Sequence, residues 1–248
     1  MSDLIQSHYA DGILSVNFNR PEKKNALTSE MYAQLADVFD HQATQDNVNV
    51  VVLSAGKDFT AGNDLDDFLA RPPAAEEGAT APVWEFMRAL STCPVPVIAA
   101  VDGFAVGIGT TLLLHCEFVY STPSTVFMLP FINLAAVPEF GSSMLLHMHT
   151  GYVKAAEMLF LGDRFDSETA LKYNLINQIC SSENLMACAM ATAAKLAGKS
   201  REALVQSKAL MRRDIEPLAE RIALESKAFA KRVASPEAKA AISAIMKR

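Results

Sequence analysis

Apolar residues first alternate along this chain and then run together. In "LIQSHYADGILSVNFN", residues 4–19, alternating apolar positions flank Ala10-Asp11-Gly12, and Asp-Gly predicts a tight hairpin turn. After "RPEKKNALT", Thr28 is placed to cap a helix running to about Gln42, with Met31, Leu35, Val38 and Phe39 at helical spacing. "VNVVVLSAG" and "PVPVIAAVDG" are short continuous runs rich in β-branched residues, the pattern of strands buried on both faces. "FVYSTPSTVF" supplies at least one more strand. Strands thus alternate with helices over residues 1 to about 180, which predicts an α/β fold.

Two stretches depart from that rhythm. "ARPPAAEEGATAP" has little to bury and reads as a surface loop between strands, at about 71–83. From residue 184 onward turn signals thin out. "NLMACAMATAAKLAG", "REALVQSKALMRR", "PLAERIALESKAFAKRVAS" and "PEAKAAISAIMKR" predict four successive helices, with Pro217 and Pro236 where helix starts tolerate proline. The chain therefore divides into an α/β body, 1–183, and a helical region, 184–248. Such a tail can cover the body's own core or a neighbouring copy.

Composition narrows the function. Half of the 248 residues are apolar, enough for a sizeable core. The net charge of −6 argues against a nucleic-acid partner, which calls for a basic face. Cys93, Cys116, Cys180 and Cys188 are scattered with no C-x-x-C spacing, so neither a disulfide framework nor a zinc site is expected. With no basic start followed by an apolar run, no secretory signal is expected, and the longest apolar stretch is broken by Pro, Asp and Gly, so no membrane span is expected either. A reducing, cytoplasmic location follows as the expectation.

Several chemical motifs fail on inspection. "GFAVGIG" does not fit the dinucleotide-binding G-x-G-x-x-G, and "AAKLAGKS" lacks the first glycine of a phosphate loop. There is no G-x-S-x-G elbow. His147 and His149 are two apart, hence on different helix faces, and do not form a metal pair. Two glycine-bearing turns remain, "DFTAGNDLDDF" at 58–68 and "DGFAVGIGTTLLLHCE" at 102–117. Each follows a buried strand and can present free backbone N–H groups; two such donors converging would make an oxyanion hole. Ordinary loops are the simpler reading. A lone acid, Glu139, stands in the uncharged stretch "PFINLAAVPEFGSS". It is either a helix-capping residue or a base tuned by an apolar pocket.

The succession "NFNRPEKKNALT", "VVVLSAGKDFTAGNDL", "PVIAAVDGFAVGIGTTLLLHCEFVYST" and "GDRFDSETALKYNLINQI" resembles the crotonase (enoyl-CoA hydratase/isomerase) superfamily over nearly the whole chain. The resemblance implies a spiral of ββα units with a helical C-terminal region used in oligomerisation, as trimers or dimers of trimers. It implies an acyl-CoA thioester as substrate, within fatty acid metabolism, and neither a metal nor a further cofactor. By resemblance the oxyanion hole is the backbone N–H of Asn63 and of Ile108, the latter between Gly107 and Gly109. The CoA moiety runs along Lys24, Ala26 and Leu27 and along Ala61, Gly62, Asn63, Asp64 and Leu65.

Departures from the family pattern point to the reaction. Hydratases of the family carry two glutamates where this chain has Thr111 and Phe131. Water addition needs such groups, so hydration is not expected. "AVPEFGSSMLL" resembles the "S-P-E-G-C-S-S" region of peroxisomal-type Δ3,Δ2-enoyl-CoA isomerases, in which that glutamate is the single acid/base. Glu139 is thus expected to be the base, in a pocket formed with Phe131, Phe140 and Met128. Thr111, lacking acid–base chemistry, is expected to matter little. Other crotonase-type activities, such as hydration or dienoyl-CoA isomerisation, and a silent acyl-CoA-binding role are the alternatives. Ile242, Ile245 and Met246 are expected to pack against a neighbouring subunit and complete part of its CoA site.

Overall fold

A computed structural model describes residues 4–73, 80–212 and 217–246. The hairpin forms as expected: β1 (Ile5–Ala10) and β2 (Ile13–Phe18) pair antiparallel from Ala10 opposite Ile13. Asp11 and Gly12 both take positive φ, 50° and 81°, the turn that Asp-Gly favours. β3 (Val50–Ala55), β4 (Val97–Val101), β6 (Phe118–Ser121) and β9 (Gln178–Ile179) extend the sheet in the order β1-β2-β3-β4-β6-β9, parallel from β2 onward. A smaller sheet comprises β5 (Phe104–Val106), β7 (Val126–Met128) and β8 (Arg164–Asp166). "FVYSTPSTVF" therefore supplies two strands, one to each sheet.

The continuous apolar strands are buried on both faces. Val51 and Leu53 join the main core with α1 (Ser29–Asp37) and α3 (Pro82–Ser91). Val50 and Val52 face the other way, into a second cluster covered by Leu185, Ala189 and Ala193 of α8 (Leu185–Ala197). The first helix after residue 183 thus completes the body's own core. Thr28 caps α1 by accepting from Met31 N at 3.3 Å, and a π-turn carries the helix on to Gln42.

The remaining helices are α2 (Leu65–Ala70), α4 (Ile108–Thr111), α5 (Ser142–Thr150), α6 (Tyr152–Leu161), α7 (Ser167–Lys172), α9 (Arg201–Met211), α10 (Pro217–Val233) and α11 (Pro236–Met246). The tail's four helices are those the sequence predicts. A buried Lys208 on α9 ties it to the body, donating to Val95 O (2.7 Å) and Glu117 (2.9 Å). Ile242 is 1% exposed against its own chain, which corrects the expectation that it faces a neighbour. Met246 is partly exposed, and the side chain of Ile245 lies outside the described residues, as does the 74–79 portion of the loop at 71–83. No helix among the described residues is long and apolar enough to cross a membrane.

Candidate active site

The two glycine-bearing turns meet because they share a short ladder. Thr60 N donates to Phe104 O (2.8 Å), and Val106 N donates to Thr60 O (3.1 Å). This stitches the 60–63 turn to β5 and sets it beside Gly107-Ile108. The approach is close: a Cβ on Gly62 would lie 2.7 Å from Val106 O, and its φ of 90° already favours glycine. Asn63 and Ile108 line one cavity of about 800 Å³. Among the described residues neither backbone N–H donates to a protein carbonyl. Both are therefore available to an oxyanion.

The 60–65 turn is braced from several sides. Thr60 Oγ1 accepts from Gly62 N at 3.1 Å, and Gly62 O accepts from Leu27 N at 2.7 Å. Asp64 pairs with Arg20 (2.7 Å) and caps α2 by accepting from Asp67 N (3.0 Å). Backbone and Arg20 hydrogen bonds hold its carboxyl below the usual range against the opposing effect of burial, the largest single influence. The Tyr32 hydroxyl donates to Asn63 Oδ1.

The cavity wall matches much of the expected contact set. Ala26, Ala61, Gly62, Asp64 and Leu65 line it, with Gly107 and Phe131 opposite. Lys24 does not; its ammonium sits 4.3 Å from the centre of the Phe104 ring, and Lys23 lines the cavity instead. Leu27 faces a smaller neighbouring cavity of about 330 Å³ on the other side of Asn63, shared with Tyr32. Gly109 supports rather than lines: a Cβ there would lie 2.6 Å from Thr60 Cγ2. Phe140 is fully buried and stacks on His115, ring centroids 3.9 Å apart. The tail contributes Phe229 and Val233, which sequence reading missed, and Ile242 and Met246, which it assigned to a neighbour's site and which line this chain's own cavity. Phe229 meets Phe131, Phe68 and Trp84 edge-on, at 5.8–6.4 Å.

Glu139 lies behind this wall, 2% exposed, and is not itself a lining residue. Thr111, one helical turn beyond Ile108, donates its hydroxyl to Glu139 Oε1 at 2.5 Å. Oε2 has no partner. Burial pushes the carboxyl up to about 8; the Thr111 bond opposes this, and the charge of Glu225 adds to it. Tyr32 is close enough that burial and then Glu139 raise its own pKa well above the usual value. A buried carboxylate whose second oxygen has no partner among the described residues is suited to proton transfer. No group of His, Cys, Asp and Glu among the described residues could hold a metal ion.

The enoyl-CoA hydratase/isomerase model matches residues 8–248. The chain belongs to the enoyl-CoA hydratase/isomerase family. Among family relatives, the 1,2-epoxyphenylacetyl-CoA isomerase of Escherichia coli is 34% identical over 79% of this chain and 77% of its own length. Enoyl-CoA delta isomerase 2 of Rattus norvegicus is 36% identical over 68% of this chain and 44% of its own. The structure of OdaA from Pseudomonas aeruginosa superposes with a TM-score of 0.95 at 42% identity, covering all of both chains. Proteins named hydratase are also among the relatives. The family's crotonase fold and its acyl-CoA hydratase/isomerase chemistry therefore apply here, and the fold expectation is met.

Proposed function

We propose that this enzyme moves the double bond of a 3-enoyl-CoA to C2, with Glu139 as the single acid/base. The observation that carries the reading is the buried Glu139 Oε2, which has no partner among the described residues while Oε1 is held by Thr111, one helical turn from Ile108. The thioester oxygen accepts from the N–H groups of Asn63 and Ile108. The acyl segment continues past them to the carboxylate. Ionised Glu139 takes a proton from C2, the resulting dienolate carries its charge on the thioester oxygen, and the same carboxyl returns the proton at C4. No water is consumed, so the absence of carboxylates at Thr111 and Phe131 is no obstacle. A base raised by burial to about 8 is strong when ionised.

Glu139→Gln keeps size and removes the proton acceptor. Isomerisation of a 3-enoyl-CoA is expected to fall at least ~10²-fold, with acyl-CoA affinity little changed. Near-normal turnover would return Glu139 to a capping role. A 3-hydroxy product instead of the 2-enoyl ester would make the protein a hydratase. Cytoplasmic location and assembly into a trimer or dimer of trimers are part of the same proposal.

A further inference from the structure

The buried face of α10 is apolar, with Leu218, Ile222, Phe229 and Val233, yet its centre is an acid, Glu225, 7% exposed. Glu225 accepts from Gly141 N (2.7 Å), Ser143 N (3.1 Å) and the Ser143 hydroxyl. These groups open α5, and they follow Glu139 directly. The turn between is unusual: Phe140 and Gly141 both take left-handed φ, 57° and 70°. Such a turn persists only where its surroundings hold it. His115 Nε2 meets Phe140 O at 2.9 Å, and Leu218 packs so tightly on Gly141 that a Cβ there would lie 2.4 Å from its Cδ1. α5 has no capping side chain of its own. A local Ser or Asp would cap it without burying a distant charge, which is costly unless the charge is well bonded.

Resting on the reading of Glu139 as the base, we propose that Glu225 is a positioning residue for it, so that the tail helix walling the acyl-CoA cavity also sets the base in place. Phe229 and Val233 on the same helix face line the cavity, so one rigid element touches both. The charge acts as well. Among the described residues the titratable groups that act on or feel Glu139 are Glu225 and Tyr32, and the negative charge of Glu225 favours protonated Glu139. Arg221, on Glu225's own helix, and the Gly141 and Ser143 donors favour its ionised form against burial.

The test compares Glu225→Gln with the wild type by kcat and KM on a 3-enoyl-CoA, and by carboxyl-carbon NMR titration of Glu139, assigned through its loss in Glu139→Gln. Expected are a kcat ~10-fold lower, a KM within about twofold, and a Glu139 midpoint moved to lower pH. A plain helix cap predicts a lower melting temperature with kcat and midpoint unchanged, and that result overturns the inference. If the wild type does not turn over 3-enoyl-CoA, the isomerase reading fails, but the NMR midpoint still decides whether Glu225 acts on Glu139. Should Glu225→Gln not fold, Glu225→Asp carries the test. It keeps the charge on a shorter arm, so kcat is expected to fall with the midpoint held; wild-type kcat there overturns the proposal.

Discussion

At the scale of single residues, the hydroxyl of Thr111 has a part that its chemistry alone does not announce. It donates to Glu139 Oε1 and so stabilises the ionised form of the proposed base. Sequence reading treated position 111 as inert, because a threonine neither gives nor takes protons near neutrality; the contact corrects that. Thr111→Val should raise the Glu139 midpoint above about 8, since the ionised form loses its donor. The acid limb of kcat/KM moves to higher pH, and turnover at pH 7 falls several-fold while the plateau at high pH is kept. An unmoved limb would mean that the bond does not tune the base. Glu139 was legible as a candidate because a lone acid in an uncharged run is conspicuous. Glu225 was not, because 82 residues separate it from the Ser143 that it grips, and "LAERIALESKAFAKRV" carries another acid, Glu220, on its solvent side.

At the scale of elements, period and punctuation gave the hairpin, α1, β3, β4 and the four tail helices. Partners were harder to read than elements. "FVYSTPSTVF" is one run, yet Thr122-Pro123-Ser124 bends it between two sheets, where Thr122 Oγ1 bonds Asp102 at 2.6 Å and Thr125 Oγ1 bonds Val101 O at 3.0 Å. Those bonds depend on the neighbouring strand, which spacing along one chain does not reveal. The tail was readable as helix but not by destination: Ile242 goes to its own chain's cavity. A cluster of uncovered apolar residues lies instead on α6, where Tyr152, Val153, Phe160 and Leu161 are 57–81% exposed. Val153 and Phe160, seven apart, share a helix face. This face is expected to meet another copy. Val153→Glu with Phe160→Glu should shift sedimentation from an assembly to a monomer without loss of helix content. A wild type that sediments as a monomer at micromolar concentration would remove the expectation.

At the scale of the whole molecule, the body and tail share one core. α8 covers one face of the large sheet and α10 walls the cavity on the other side, so catalytic and structural packing are not separable. The bare oxygen of Glu139 then bears on folding itself. Unfolded, this carboxyl titrates near its ordinary value of 4.5; folded, it holds its proton to about 8. Between those pH values the unfolded chain releases a proton that the folded chain keeps, so rising pH favours unfolding across that window and adds nothing further beyond it. Glu225, also raised by burial, acts in the same direction. Denaturant unfolding of the wild type and Glu139→Gln at pH 5 and pH 8.5 measures the effect. The variant's stability relative to the wild type should rise markedly between the two conditions, whereas a difference independent of pH would contradict it. Acid conditions that protonate Glu139 should therefore give the firmer fold, and if it is the proposed base, a buffer chosen for storage near pH 5 would be a poor one for assay.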